Sequence, residues 1–400
     1  MSRRQLPPQI SKLEVTDRRT GKPVVRYEMV VDTGRDPETG KRGQIRRRFA
    51  NEQEARKALS EVQDQVAKGD YVPRKAVTVA EIIADWLASL HSVRAVTRAG
   101  YEYDVAPVRE RFGTLPVQNL TRKHLDELVV ALRNGGTVTA KGRVRKPWAP
   151  RSLNRTVATT SMVLDYAIDR KMLSRNVADQ VKAVPRRRKK VDTYTADEVR
   201  KVLDSIGEDR NEHLWHLALR GLRRAEIGGL RWSNVDFAGK ALTVEIGRAD
   251  ARNGLVVEDI PKTECSRRTL PMDEDLVQVL RRARGRQAGD KLAVGKAYGK
   301  GGYVACDAAG RPYHPSTISH LWGKAAKAAG VRHIRLHDCR HTAGTLMHLR
   351  NVPIAVIAEW LGHTDASFTQ RTYAHSQRDA LAEAAVTLGS VVTTRDIEAG

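Results

Sequence analysis

The sequence has few cysteines, few aromatic residues and no long apolar run. Its 400 residues include three cysteines, all widely spaced, which is typical of thiols in a reducing compartment and excludes a disulfide framework. No run reaches the roughly 18 apolar residues that a membrane-spanning helix needs. Met1–Gln9 has charges and prolines but no apolar segment, so no signal peptide is predicted and a cytoplasmic location is expected.

Acidic residues are also too few to balance the basic ones. Lysine and arginine number 70 against 47 acids, giving a formal net charge of +23. This excess indicates a polyanionic partner, because acidic small molecules rarely require so much charge. At roughly 150 residues per domain, the length predicts two or three domains.

The N-terminal residues 1–72 are predicted to form a three-stranded sheet backed by one helix. Strands are expected at Val24–Val31 and Gln44–Ala50, with a weaker candidate at Lys12–Thr16. Asn51 and Glu54 resemble the capping box of a helix start.

Three consecutive arginines, Arg46, Arg47 and Arg48, lie on the last predicted strand. Because side chains alternate between the faces of a strand, at least one and up to two of them point away from the helix. They would suit a sheet that enters a DNA groove. A solvated edge strand protected by charge explains them equally well.

Residues 76–185 are predicted to form a four-helix module. Thr78 and Glu81 form a capping box, and helical patterns recur at 97–111, 121–133 and 150–170. The interval Asn134–Pro150 is rich in glycine and basic residues, and a mobile basic loop is expected there.

Residues 186–191 are predicted to form a basic interdomain linker. The block carries five consecutive positive charges that repel one another and exclude it from a core: Arg186, Arg187, Arg188, Lys189 and Lys190. The linker either lies along DNA phosphates and releases their counterions, or it is a solubilising hinge.

The third domain is expected at 192–390, followed by a tail at 391–400. A capping box at Thr195 and Glu198 opens it, and strands near 240–246, 255–260 and 268–272 interrupt a helical pattern. The predicted fold is therefore multidomain, and its last domain is α+β and mostly α.

Two basic residues of this domain lie in turns. Arg223 lies two residues after Gly221, and a surface ion pair with Glu226, three residues later, is its simplest explanation. Lys262 lies between two predicted strands, where a lysine at a hairpin tip is usually only solvated.

His337 and Arg340 are three residues apart and would share one helix face, where they suit a phosphate undergoing substitution. A zinc site using His337, His341 and Cys339 is disfavoured, because the HExxH glutamate is absent and Cys339 would point about 200° away from His337. No metal is therefore expected. Tyr373, considered alone, would be a packing residue.

The joint pattern resembles the catalytic set of the tyrosine recombinases, the phage integrase family. The matching blocks read GLRRAEIGGLRW, PKTECSRRTLPM, LHDCRHTAGTLM and EWLGHTDASFTQRTYAH. In chain order they supply six residues: Arg223, Lys262, His337, Arg340, His363 and Tyr373. Two positions depart from the family pattern: Arg220 stands where threonine is common, and Cys339, where leucine is common, would make the site sensitive to oxidation.

The resemblance implies a role for each residue. Tyr373 would be the nucleophile that forms a 3′-phosphotyrosyl bond, with His337 as its base. Lys262 would protonate the leaving 5′ oxygen, and His363 would hold a phosphate oxygen.

Arg223 and Arg340 would neutralise the charge that gathers on the phosphate, each charge-assisted bond contributing roughly 1.5–3 kcal/mol. Glu226 and Asp338 would orient these groups. The bond energy is stored in the phosphotyrosine, so ATP is not required. The arginines do the work of a metal cation, so no metal is required either, and no cofactor is expected.

The resemblance also implies modules and partners. The N-terminal sheet is similar to the arm-binding domain of integrases from phages and integrative elements, and the helical module is similar to a core-binding domain. A homotetramer on double-stranded DNA is expected, with an excisionase and a DNA-bending host factor as further candidate partners and no membrane.

Two alternatives stay open beside this interpretation. One is a noncatalytic basic DNA-binding regulator, against which the full six-residue set argues. The other is a type IB topoisomerase, which the arm-like sheet and the short spacing from Arg340 to Tyr373 disfavour. An apolar stripe at residues 377–388 packs either on its own domain or on a neighbouring protomer.

Overall fold

The computed structural model describes residues 5–16, 21–35, 42–67, 77–186, 192–251, 254–259 and 267–363. They divide into two compact units, bounded in sequence as Met1–Val93 with Tyr101–Arg186, and Arg94–Gly100 with Arg187–Gly400. Among the described helices, none is both long and apolar enough to cross a membrane.

The first unit begins with a three-stranded antiparallel sheet and one helix. The strands β1 (Ile10–Thr16), β2 (Pro23–Arg35) and β3 (Arg42–Phe49) lie in the order β1-β2-β3, and α1 spans Glu52–Ala67. Alternate apolar side chains of the strands meet one face of α1 in a small core: Ile10, Met29, Val31, Ile45, Ala55, Leu59 and Val62. The predicted sheet and helix are both present, and Asn51 Oδ1 accepts the Glu54 N–H at 2.8 Å, as a helix cap does.

Four helices with a separate core follow in the sequence: α2 (Val79–Ser89), α3 (Ala95–Phe112), α4 (Arg122–Asn134) and α5 (Pro150–Asp169). The predicted capping box is present, because Thr78 N–H donates to Glu81 Oε2 at 2.8 Å and Glu81 N–H donates to Thr78 Oγ1 at 3.3 Å. The four helical patterns of the sequence are therefore confirmed.

The interval Asn134–Pro150 differs from the mobile loop that its composition suggests. Val138 and Val144 form an antiparallel bridge, and Arg145 N–H donates to the Thr137 carbonyl at 2.8 Å. The Arg145 side chain also donates to Glu110 Oε2 of α3 at 2.5 Å. Because these bonds hold both its strands and its base, the interval is a short anchored hairpin.

The second unit is mostly helical. Its helices are α6 (Ala196–Ser205), α7 (Glu212–Leu219), α8 (Arg224–Gly229), α9 (Glu274–Val294), α10 (Pro315–Ala328), α11 (Leu336–Leu349) and α12 (Ile354–Leu361). The capping box at Thr195 is confirmed at the start of α6.

Between α8 and α9, the described residues form five short strands. A sheet of order β4-β5-β8 contains β4 (Val235–Asp236), β5 (Ala241–Val244) and β8 (Arg268–Pro271), and β6 (Gly247–Asp250) pairs with β7 (Val256–Asp259). The three predicted strands correspond to β5, β7 and β8. The sequence patterns missed β4 and β6, which have only 2 and 4 residues.

The core of the second unit brings the end of α7 against α11. Trp215 of α7 packs against Trp322 of α10 with ring centroids 5.6 Å apart. The Tyr194 N–H, just before α6, donates to Thr342 Oγ1 of α11 at 3.0 Å. The turn after α7 therefore lies beside α11, and α12 packs against α11 as well.

Candidate active site

Glycine suits the turn between α7 and α8 for two reasons, its backbone conformation and the space around it. Gly221 has a φ of +95°, which favours glycine, and a Cβ there would lie 2.7 Å from Leu361 Cδ2. This close approach delivers Arg223 to the start of α8, where its N–H donates to Glu226 Oε2 at 2.8 Å.

Arg223 is held by α8 and by the end of α12. Its Nη1 donates to Glu226 Oε1 at 2.6 Å, and its Nη2 donates to the Gly362 carbonyl at 2.7 Å. The Arg223 side chain is 32% exposed and that of Glu226 only 7% exposed. The ion pair considered from the sequence exists, but it is not a solvated surface pair because its carboxylate is buried.

Arg340 of α11 reaches the same place from the other side. The residue is 2% exposed, its Nη1 donates to the Gly221 carbonyl at 2.8 Å, and its Nη2 donates to the Leu361 carbonyl. These bonds fix the orientation of the guanidinium between the Gly221 turn and the end of α12.

Two histidines lie in the positive field of these arginines. Desolvation and the charge of Arg340 lower the pKa of His337 below its ordinary value of 6.5. Burial, followed by the charges of Arg340 and Arg223, lowers the pKa of His363 to about 4. Both imidazoles are therefore neutral at physiological pH, as a proton acceptor or a neutral donor must be.

Glu226 is the negative centre of this cluster. Burial alone would raise its pKa, but hydrogen bonds and charge from Arg268 together with the charge of Arg223 hold the pKa below its ordinary value. The carboxylate is therefore ionised, and it is shared between two guanidinium groups.

Arg268 is the residue of this cluster that sequence reasoning missed. Its side chain is 6% exposed. Its Nη1 and Nη2 donate to the two Glu226 oxygens at 3.1 and 3.0 Å, and its Nε donates to the Trp360 carbonyl at 2.7 Å. The available signal was alternation, since Arg268 and Leu270 are the buried positions of β8.

Asp338 has partners other than the expected ones. It is 3% exposed, and it accepts from the Arg335 N–H at 3.0 Å and from Arg335 Nε and Nη2 at 2.9 and 2.7 Å. These bonds cap the start of α11, the helix that carries His337 and Arg340. An orienting role for Asp338 stays a prediction.

The two departures from the family pattern have different consequences. Cys339 is 0% exposed, and burial raises the pKa of its thiol, so the expectation of an oxidation-sensitive site is wrong. Arg220 donates to Asp273 and Asp275 at 2.9 and 3.0 Å. It therefore ties the end of α7 to the start of α9.

The described ranges contain no group of three His, Cys, Asp or Glu side chains that could hold a metal ion. The His337 and His341 rings lie edge to face with centroids 5.2 Å apart. Cys339 lies between them in sequence and is buried in the core.

Several predicted residues lie outside the described residues or in the first unit. Three predicted parts of the site lie outside the described residues: Lys262, Tyr373 and the block Arg187–Lys190. In the sequence, Lys262 falls between β7 and β8. Arg186 is described and exposed.

The three strand arginines belong to β3 in the first unit. The side chains of Arg46 and Arg48 are 65% and 55% exposed, on the sheet face opposite α1. Arg47 is the cross-strand partner of Met29, whose side chain packs in the core with α1. The expectation that up to two arginines point away from the helix is confirmed, although Arg48 Nε donates to Glu28 Oε1 at 2.9 Å.

The cluster has the chemistry of a site for a phosphate diester. Two oriented guanidinium groups can neutralise nonbridging oxygens, and two neutral histidines can exchange or share protons. Arg223, Arg340, His337 and His363 come from α8, α11 and the end of α12, and they converge around the Gly221 turn.

The comparisons with known proteins agree with this chemistry. The phage integrase family matches residues 193–379. The chain is 27% identical over 377 residues to a tyrosine recombinase described as XerC-like from Caldanaerobacter subterraneus subsp. tengcongensis, covering 87% of this chain and 92% of that protein.

Two solved structures share the fold. The integrase of transposon Tn1549 in complex with transposon right end DNA gives a TM-score of 0.61 at 18% identity, covering 77% of this chain and 99% of that one. A lambda integrase tetramer bound to a Holliday junction gives 0.51 at 17% identity, covering 92% and 96%.

Proposed function

The chain is a tyrosine recombinase of the phage integrase family, and from this premise we propose that it integrates a mobile DNA element through a 3′-phosphotyrosyl intermediate. The observation that carries the proposal is the convergence of Arg223, Arg340, His337 and His363 at one turn. A DNA-binding regulator has no use for neutral histidines held in so positive a cluster.

Each cleavage step exchanges one phosphate ester for another. The Tyr373 oxygen attacks phosphorus, loses its proton to His337 and becomes bonded to the 3′ phosphate. The bond from phosphorus to the 5′ oxygen breaks, and Lys262 supplies the proton that this leaving oxygen requires. Attack by a new 5′ hydroxyl reverses the sequence, so the two strands rejoin without an external energy source.

The two arginines and His363 act on the phosphate itself. The attacking and leaving oxygens add charge to the nonbridging oxygens in the transition state, and Arg223 and Arg340 are oriented by carbonyl contacts before substrate arrives. Preorganised donors of this kind stabilise a developing charge without reorganisation. His363, neutral at physiological pH, donates one further hydrogen bond to the phosphate.

Contacts to the DNA duplex are assigned to other basic residues. Arg46 and Arg48 project from the open face of the N-terminal sheet, which suits an arm-type site. The block Arg186–Lys190 would follow the backbone at a core-type site and release its counterions.

The assembly is proposed to be a homotetramer on two duplexes. The support is the shared fold with the lambda integrase tetramer on a Holliday junction. A mobile element is favoured as the substrate because the Tn1549 transposon integrase shares the fold over 77% of this chain. Excision would add the excisionase and DNA-bending partners expected from the sequence.

A nicked suicide duplex that carries the attachment site tests the proposal. The nick lets the cleaved end diffuse away, so the covalent adduct accumulates and is visible as a shifted protein band. The wild-type protein should form the adduct, and Tyr373→Phe should bind DNA equally well and form none. An adduct from Tyr373→Phe would refute the assignment of the nucleophile.

A further inference from the structure

Three arginine side chains hold the C-terminal end of α12. Consecutive carbonyl groups each accept a hydrogen bond from a different guanidinium: Trp360 from Arg268 Nε at 2.7 Å, Leu361 from Arg340 Nη2, and Gly362 from Arg223 Nη2 at 2.7 Å. The last carbonyls of a helix have no partner within the helix and carry its negative dipole end. Cationic donors are therefore well suited to fix the position of this helix end.

Two of these arginines belong to the catalytic set, but Arg268 does not. It is the first residue of β8 and pairs across the sheet with Val244 of β5. Its side chain is 6% exposed, and its Nε, Nη1 and Nη2 all donate to the Trp360 carbonyl or to Glu226. Its effect on the reaction must pass through the groups that it holds.

The groups that Arg268 holds are bonded to, or adjacent in sequence to, two residues proposed to bind the phosphate. Its Nη1 and Nη2 bind both Glu226 oxygens, and Glu226 binds Nη1 of Arg223. Its Nε binds the α12 carbonyl of Trp360, which is three residues before His363. One buried guanidinium therefore connects both the arginine and the histidine of the site.

Arg268 also ties β8 to α12. Its bonds to Glu226 and to the Trp360 carbonyl oppose a movement of β8 relative to the end of α12.

We propose that Arg268 is a positioning residue for strand cleavage, which sets the placement of Arg223 and His363 through Glu226 and the end of α12. The inference rests on the proposed function. Displacing a catalytic group by about 1 Å can cost a hundredfold in rate, so the expected loss is between tenfold and about a hundredfold.

The neighbouring Arg267 provides a matched control. It also forms one ion pair, with Glu245 Oε2 at 3.2 Å, but its side chain is 69% exposed. Arg267→Met and Arg268→Met remove the same charge from adjacent positions. A loss caused only by weaker attraction to DNA should affect both variants alike.

The experiment measures DNA affinity and single-turnover cleavage of the suicide duplex at saturating protein. Arg268→Met should bind with unchanged affinity and cleave at least tenfold more slowly, whereas Arg267→Met should cleave at the wild-type rate. Arg268→Lys keeps the charge and the fold but cannot bind Trp360 and both Glu226 oxygens together. It should melt close to the wild-type temperature and still cleave several times more slowly.

A double variant tests the connection through Glu226. Glu226→Gln with Arg268→Met should lose less cleavage than the product of the two single losses, because both changes break the bonds between Arg268 and Glu226. Wild-type cleavage by Arg268→Lys, or multiplied losses in the double variant, would overturn the inference. Absence of an adduct from the wild-type protein would instead refute the proposed function.

Discussion

Replacing Glu226 by glutamine should destabilise the second unit more than any exposed charge substitution. The carboxylate accepts four hydrogen bonds: from the Arg223 N–H and Nη1, and from Arg268 Nη1 and Nη2. An amide offers one oxygen and one NH₂ group, and the NH₂ group cannot accept a hydrogen bond. At least one set of N–H groups would therefore face the amide hydrogens and not an acceptor. The buried Arg268 would also lose its counter-charge.

The size of the loss follows from burial. Removing one partner of a buried ion pair costs about 3–5 kcal/mol, because the remaining charge stays in a poorly solvated place. For a unit of this size each kcal/mol lowers the melting temperature by about 2–4 °C, so a decrease of about 10 °C is expected. The matched control is Glu274→Gln, whose ion pair with Lys240 has both side chains more than half exposed. It should leave the melting temperature almost unchanged, because a solvated ion pair contributes little to stability.

The pH dependence provides a second measurement. The pKa of Glu226 is below its ordinary value of 4.5 in the folded protein. The ionised group therefore stabilises the fold above that value, and this contribution is lost as the pH falls through the folded pKa. Thermal melting monitored by circular dichroism should show that the wild-type protein and Glu226→Gln converge in stability below pH 4.5. A Glu226→Gln protein that melts like Glu274→Gln at neutral pH would refute the reasoning.

Three further predictions concern catalysis and DNA binding. Arg223→Lys should lower single-turnover cleavage by about a hundredfold or more with little change in affinity, because lysine cannot bind Glu226, Gly362 and a phosphate together; near wild-type cleavage would contradict this. The cleavage rate should stay above half its alkaline plateau at pH 6.5, since the pKa of His337 is lowered from that value; a half-maximal rate above pH 6.5 would exclude His337 as the base. Replacing Arg46 and Arg48 by glutamine should reduce the slope of log affinity against log salt by about 0.9 per lost phosphate contact at an arm-type site, and an unchanged slope would show that these arginines do not touch DNA.

Features that depend on neighbouring residues could be predicted from the sequence. The capping boxes that begin at Thr78 and at Thr195 each span only four residues, and their helices begin where the pattern indicates. The exposed face of β3 follows from alternation alone. The order of the motifs, not any single one of them, indicated the site, since Arg223 by itself predicts only an ion pair.

Features that depend on distant residues could not be predicted. Arg268 and Glu226 are separated by 42 positions, and no periodic pattern records that they meet. The same reason explains the hairpin at 134–150, which is held by a glutamate 35 positions from its arginine. The composition of such a segment indicates how well it is solvated. Whether it forms an ordered hairpin depends on a contact with a residue that is distant in sequence.

The ion pair and the catalytic role of Arg223 are parts of one arrangement. A free arginine side chain must lose its rotamer freedom when it binds a phosphate, which weakens the interaction. Glu226 and the Gly362 carbonyl have already fixed this guanidinium. The side chain therefore loses its rotamer freedom when the protein folds, and not when the transition state forms. The guanidinium has five N–H donors, and its side chain is 32% exposed, which leaves donors for the substrate. A lysine could satisfy Glu226 or the phosphate in turn, but it has no second planar edge with which to bind both. The buried carboxylate therefore orients the arginine for the phosphate, and it does so without removing the positive charge on which catalysis depends.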